Sequence, residues 1–351
     1  MAREGLKELP WWSWVFPVLG IMLILWGKSA PSALIAISLL GAVFAAVHHA
    51  ETVAERLGEP FGTLVLALAV TILEAGMIVS MMLGGSGPTV ARDSIFSALM
   101  IALNGIIGLC LVLGGMRHFA QSFQPVAANA FLLVLIPLAT LTMVLPNYTT
   151  TTPGPVFSTP QLIFVSLIAF ALYVLFLYVQ LVRHRADFMA GHALHGEPPT
   201  AGAAWLAFVL LLTSLAAVIL LAKMLSPLLE AAVHSARAPI GLVGVVIAAI
   251  VLLPEGITAV KAAARNNLQT ALNLALGSIV ACVGLTIPAV AVVALILGKP
   301  LHLGLDSAMT ALLGTTFLML SITLNSGRST VLEGMVHLAV FLAFIIFSFL
   351  P

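Results

Sequence analysis

The chain has 351 residues, of which 61% are apolar and only 8% charged, with a formal net charge of +1. A soluble domain carries about 25% charged residues, so this composition excludes an ordinary water-soluble globule. The near-neutral balance also excludes a nucleic-acid surface or a polybasic patch for anionic lipid.

Apolar runs near 20 residues recur along the sequence and predict an all-α polytopic membrane protein with about eleven transmembrane helices. The predicted spans lie at roughly 12–27, 31–48, 61–83, 95–115, 127–146, 161–181, 204–222, 239–261, 270–297, 304–324 and 330–350. Arg3 and Lys7 precede the first span as they would in a signal peptide, but no small-residue cleavage site follows, which predicts a retained helix. Gly27-Lys28-Ser29 ends like a phosphate-binding loop, yet Met22 stands where the first glycine of that loop belongs, and no large soluble segment exists to house a nucleotide-driven motor.

The third span carries Glu74 inside Thr63 to Leu83, a stretch with no other charge. Asn104 sits in the middle of the fourth, where it either reaches a transport path or joins two helices. Cys110 and Cys282 lie in apolar runs and read as small packing residues. The longest loop, 182–203, holds Arg183, His184, Arg185, Asp187, His192, His195 and Glu197. Its histidine spacing fits no compact metal motif, so it reads as a cytoplasmic linker, with a pH or metal sensor as the alternative.

The eighth span holds the most informative stretch, Val251-Leu252-Leu253-Pro254-Glu255-Gly256-Ile257-Thr258. A charged Glu in hydrocarbon costs roughly 2.5 kcal/mol or more, so such an acid is rarely kept without a use. Pro254 removes a backbone donor, and a helix broken beside a carboxylate is a common ion site at membrane depth. The plainer reading of each acid is a protonated Glu bonded to a neighbouring helix. Pro288 predicts a kink in the ninth span. Asp93, Asp306 and Glu333 fall at span ends and read as solvated.

The loop at 182–203 divides the chain. Residues 1–30 form an extra helix, 31–181 hold five spans, and 204–351 hold five more. Five is odd, so the two units must be inverted across the membrane, and each supplies one buried acid on its second span. Lys and Arg in the loops favour a cytoplasmic N-terminus by nine to five, which leaves the C-terminus outside.

The sequence resembles the calcium/cation antiporter superfamily in its cation/proton exchanger branch, most like the bacterial ChaA-type members. The resemblance rests on Arg56-Leu57-Gly58-Glu59-Pro60-Phe61-Gly62 leading into Glu74, and on Leu111-Val112-Leu113-Gly114-Gly115. In the second half it rests on Pro254-Glu255-Gly256-Ile257-Thr258-Ala259-Val260 and on Ala271 to Ser278. Near the end, Ser326-Gly327-Arg328-Ser329 with Leu332-Glu333-Gly334 looks like the family's last hairpin. It implies two inverted five-helix repeats exchanging cations for protons by alternating access in a bacterial inner membrane. The family's key acids fall on Glu74 and Glu255, its following Gly-Ser on Gly277 and Ser278, and the first-half counterpart on Ser97-Ala98.

Where these exchangers carry Gly-Asn ahead of each acid, this chain has Val70-Thr71 and Val251-Leu252, and two further polar positions become Ala102 and Ala281. Calcium takes 6–8 oxygens, so the thinner donor set leaves room for sodium or potassium. The expected site therefore comprises Glu74 and Glu255 as ligands of the transported cation (Ca2+, Na+ or K+) or of the proton, competing for the same oxygens. Thr71 and Ser278 supply hydroxyls, or bond only their own helix backbone. Pro254 supplies freed carbonyls and Gly277 allows close helix approach, with Asn104 in support. No cofactor is implied; the partners are cations, protons and the lipid bilayer.

Two alternatives stand beside the antiporter. A passive channel would present rings of groups from an oligomer, where this chain shows an internal duplication. An embedded enzyme needs a metal cluster or a nucleophile–base pair at membrane depth. Of the nine histidines only His337 lies away from a span end, with no evident partner.

Overall fold

Long apolar sequences in a bilayer satisfy their backbone polar groups within the segment, and helices do this without partners. The structure is a computed structural model that describes residues 9–58, 61–84, 87–188 and 199–350. Its spans are α1 (Trp11–Trp26), α2 (Ser32–Leu57), α3 (Phe61–Gly84), α4 (Val90–His118), α5 (Pro125–Tyr148) and α6 (Thr159–Arg183). A four-residue helix α7 (Arg185–Phe188) is followed by α8 (Ala201–Ser235), α9 (Leu242–Ala264), α10 (Leu268–Leu297), α11 (Ser307–Asn325) and α12 (Val331–Phe349). Among the described residues ten helices are long and apolar enough to cross a membrane, and α1, at 16 residues, is shorter. Arg3, Lys7, Glu59, Pro60, His192, His195 and Glu197 lie outside the described residues.

Two helices run well past their predicted ends. α2 continues through His48, His49 and Glu51 to a glycine cap at Gly58, and α8 runs for 35 residues through Lys223 and Glu230. Hydropathy falls where charges begin, whereas a helix stops only where capping or backbone conformation ends it. At about 1.5 Å per residue α8 is about 50 Å long, well beyond a hydrocarbon core of about 30 Å.

The chain forms two compact units, Met1–Gly87 with Leu194–Arg237, and Pro88–Ala193 with Ala238–Pro351. In the first, α2 packs on α1, α3 and α8. α8 buries Leu211, Ser214, Leu215, Val218, Leu221, Ala222 and Leu225, a stripe at helical spacing. Ser80 Oγ on α3 donates to the Ile219 carbonyl of α8 at 3.2 Å.

In the second unit α4 is the most deeply buried described span, and α9 and α12 both pack on it. α9 approaches the start of α4 at Gly244, where an added Cβ would stand 2.8 Å from the Ser94 nitrogen and 2.9 Å from the Asp93 carbonyl carbon. Those are backbone atoms and cannot swing aside. Gly244→Ala will therefore lower the stability of detergent-purified protein by about 1–3 kcal/mol, read as a shift in thermal unfolding. An unchanged midpoint would mean the two helices can part freely.

The described residues also hold a two-stranded antiparallel ribbon, Gln121–Ser122 against Arg328–Ser329. It gives the Ser326–Ser329 hairpin a function in packing. From it, Gln121 Nε2 donates to the Ala263 carbonyl at 2.8 Å, and His118 Nε2 lies 3.2 Å from the Ala264 carbonyl. Both carbonyls lie in the last turn of α9, and that of Ala263 also accepts from the Asn266 nitrogen at 3.0 Å.

Among the described residues four spans contain π-helical segments: Ile101–Ile106 in α4, Thr140–Val144 in α5, Val179–Arg183 ending α6, and Cys282–Thr286 in α10. The last of these lies just ahead of Pro288, where the sequence predicts a kink. In a continuous α-helix the Pro288 ring would strike the Gly284 carbonyl four residues back, and the π turn moves that carbonyl aside.

Candidate ion-binding site

Glu255 lies on α9, which is helical from Leu242 to Ala264 without interruption. The helix break expected at Pro254 is not there. Pro254 withholds one N–H from the Ile250 carbonyl, but the turns on either side continue, and Thr258 Oγ1 donates to the Pro254 carbonyl at 3.0 Å. Hydroxyls and neighbouring helices commonly let a membrane helix carry a proline unbroken. Among the described spans the irregular backbone lies instead in the π segments of α4, α5, α6 and α10.

α9 and α10 form a helical hairpin. Its turn is made by Arg265 and Asn266, the latter at φ 61°, and Asn267 caps α10 by accepting from the Thr270 nitrogen at 3.3 Å. Glu255 stands nine residues before the end of α9 at Ala264 and Ser278 ten residues after the start of α10 at Leu268, so antiparallel packing brings them nearly level. Ser278 Oγ donates to Glu255 Oε2 at 2.6 Å. That length belongs to a hydroxyl bonded to a carboxylate, among the stronger protein hydrogen bonds. The backbone-satisfied alternative therefore does not hold for Ser278.

It does hold for Thr71, whose Oγ1 donates to the Ala67 carbonyl of its own helix at 2.8 Å. Its oxygen can still accept. Thr71 lies one turn before Glu74, and both are buried in α3. Gly277 does not set a close approach: an added Cβ would meet Phe131 at 3.6 Å, an ordinary contact.

Asn104 joins helices. It is fully buried in the π segment of α4, and its Nδ2 donates to Thr316 Oγ1 on α11 at 2.9 Å. Its Oδ1 lies 3.1 Å from Nδ1 of His337 on α12, and His337 Nε2 lies 3.3 Å from Thr323 Oγ1. His337 thus has the partners that the sequence did not reveal, since they come from two other helices.

Asp93 corrects the solvated reading given to it. It is 5% exposed, and its Oδ1 accepts from Arg92 Nε at 2.8 Å and Nη2 at 2.7 Å, while Oδ2 accepts from Thr89 Oγ1 at 2.9 Å. Asp306 and Glu333 are helix caps. Asp306 accepts from the Met309 nitrogen at 2.8 Å, and Glu333 from the Thr330 nitrogen at 2.8 Å. Ser97 Oγ bonds back to the Asp93 carbonyl at 2.5 Å. Cys110 and Cys282 are buried and form no disulfide. The predicted linker is partly built into the fold: Phe188 packs on Phe131 and Phe176, and its carbonyl accepts from Asn273 Nδ2 at 2.8 Å. Among the described residues no three His, Cys, Asp or Glu side chains cluster as a metal centre would require.

Comparison with known proteins agrees with this architecture. The family described as sodium/calcium exchanger protein matches residues 30–182 and 206–350. A protein of Sinorhizobium fredii named y4hA, described as an ionic transporter, is 47% identical over 98% of this chain and 97% of its own length. The sodium-potassium/proton antiporter ChaA of Escherichia coli is 36% identical over 96% of both chains. The crystal structure of the Ca2+/H+ antiporter protein YfkE superimposes with a TM-score of 0.74 at 20% identity, covering 97% of this chain and 99% of that one. The chain belongs to the sodium/calcium exchanger protein family: it is a membrane-embedded ion exchanger, not an enzyme.

Proposed function

We propose that this chain exchanges sodium and potassium, and calcium less readily, for protons by alternating access. In this reading Glu74 and Glu255 each take a cation or a proton. The observation that carries it is the 2.6 Å bond from Ser278 to Glu255, which aims a carboxylate and a hydroxyl oxygen together at membrane depth. A proton and a cation compete for such oxygens. If the protein reorients only when they are occupied, the competition becomes exchange.

The cation order follows from the donors. Leu252, Ala102 and Ala281 are all buried and apolar at positions where the resembling exchangers have polar groups. With few oxygens at hand the site suits an ion that retains some water over one demanding 6–8 ligands. The name of the Escherichia coli relative, a sodium-potassium/proton antiporter, supports the same order. The sequence similarity to bacterial relatives and the loop charges support a bacterial inner membrane with the N-terminus in the cytoplasm.

The test uses everted vesicles acidified by respiration and followed with a fluorescent pH probe. Sodium and potassium will each collapse the acid gradient at lower concentration than calcium does, and Glu74→Gln will abolish the response to all three. Calcium acting at the lowest concentration would reverse the proposed order. No response to any cation, with protein present in the membrane, would overturn cation/proton exchange.

A further inference from the structure

The π segment in α4 has no proline to account for it, unlike the one ahead of Pro288. A single π turn needs something to hold it open against the α-helix, and such turns recur at functional sites. Here the surroundings point to the side chain of Asn104 and its partners. α12 crosses α4 at Gly334 and Gly108, where an added Cβ on Gly334 would come within 2.9 Å of the Gly108 carbonyl oxygen. This backbone contact lets His337, one turn beyond Gly334, reach Asn104, one turn before Gly108.

The bond directions are fixed. Thr316 Oγ1 spends its proton on the Leu312 carbonyl at 2.8 Å, so it can only accept from Asn104. Asn104 must then present Nδ2 to Thr316 and Oδ1 to His337. His337 must donate from Nδ1, which leaves Nε2 to accept from Thr323. A buried network with each member satisfied in one way specifies one arrangement of three helices.

The opposite face of the same segment supports α9. Ile106 packs over Gly256, the residue after Glu255, where an added Cβ would lie 3.0 Å from Ile106 Cδ1. We propose that His337 and Asn104 are positioning residues for exchange. By holding the α4 π segment in place they hold Ile106 against Gly256, and so set the orientation of the Glu255 carboxylate and its affinity for cation. This rests on Glu255 being an ion ligand.

The test reads the cation concentration for half-maximal exchange (KM) separately from maximal rate, at matched protein level. His337→Asn keeps a donor near the Nδ1 position and will retain the wild-type KM. His337→Gln moves the amide towards Nε2 and His337→Leu removes it; both will raise KM by about tenfold, as loss of a group that orients an ion ligand does. Wild-type KM in His337→Gln and His337→Leu overturns the proposal, as does an equal rise in all three variants. If the single variants fail to accumulate, the double variant His337→Leu, Asn104→Leu removes both polar partners together. A raised KM there supports the proposal, and a wild-type KM overturns it. Glu255→Gln is run in the same vesicles. Exchange surviving in it overturns the site reading and this inference together; exchange lost in it, with wild-type KM in His337→Gln, overturns this inference alone.

Discussion

Glu255→Gln, present in the membrane at the wild-type level, will leave vesicles no more able to exchange cations for protons than vesicles lacking the protein. The substitution keeps nearly every atom in place. Ser278 can donate to the new amide oxygen as it does to Oε2, so the α9–α10 hairpin keeps its 2.6 Å contact and the fold has no reason to fail. What is lost is the charge. An amide neither neutralises a cation in a low-dielectric interior nor takes up and releases a proton, and the proposed exchange requires both. Ser278→Ala should behave differently, because it leaves the carboxylate and removes only the group that aims it. Exchange will continue with KM raised about tenfold. Equal loss in the two variants would mean that the hairpin, and not the charge, had been damaged. Full activity in Glu255→Gln would remove Glu255 from the site.

The sequence reveals Glu255 readily because one charge in a long apolar run is costly enough to stand out without a structure. The same logic finds Glu74 and the apolar helical segments. It fails where information lies between helices. Asp93 and Asp306 look alike in the sequence, as acids at span ends, yet Asp93 is buried beside Arg92 while Asp306 caps a helix. His337 looks isolated because Asn104 and Thr323 reach it from other elements. A pair of polar residues 233 positions apart leaves no trace in the spacing of either. Proline misleads in a more specific way. Pro254 reads as a break and Pro288 as a kink, but only Pro288 follows a π turn, and no local pattern separates the two. Where α2 and α8 end is hidden for another reason: hydropathy reports the membrane, whereas the helix is set by its backbone.

Asp93→Ala will be the most destabilising of the single substitutions considered. The pair with Arg92 is bonded through two guanidinium nitrogens at 2.8 and 2.7 Å, and Thr89 occupies the other carboxylate oxygen. Arg92 is also tied through Nη1 to the Gly304 carbonyl at 3.3 Å, which fastens the start of α4 to the segment ahead of α11. The carboxylate sits in the first turn of α4, where the helix dipole favours negative charge. Removing it leaves a guanidinium held in place with its charge uncompensated. Breaking a buried pair in this way costs about 3–5 kcal/mol. The lower end applies here, because a cavity of about 550 Å³ adjoins both residues and can admit water to the cation. Replacing both partners with apolar residues, Arg92→Met with Asp93→Leu, should recover most of the loss, since no charge is then left alone. The exposed pair His184 and Asp187, 3.3 Å apart, is the control, and His184→Ala will change stability by less than about 0.5 kcal/mol. Thermal unfolding of purified protein in detergent at low and at high salt separates the cases, because salt screens an exposed pair far more than a buried one. A loss below about 1 kcal/mol in Asp93→Ala would mean that water in the cavity solvates Arg92 as well as the carboxylate does.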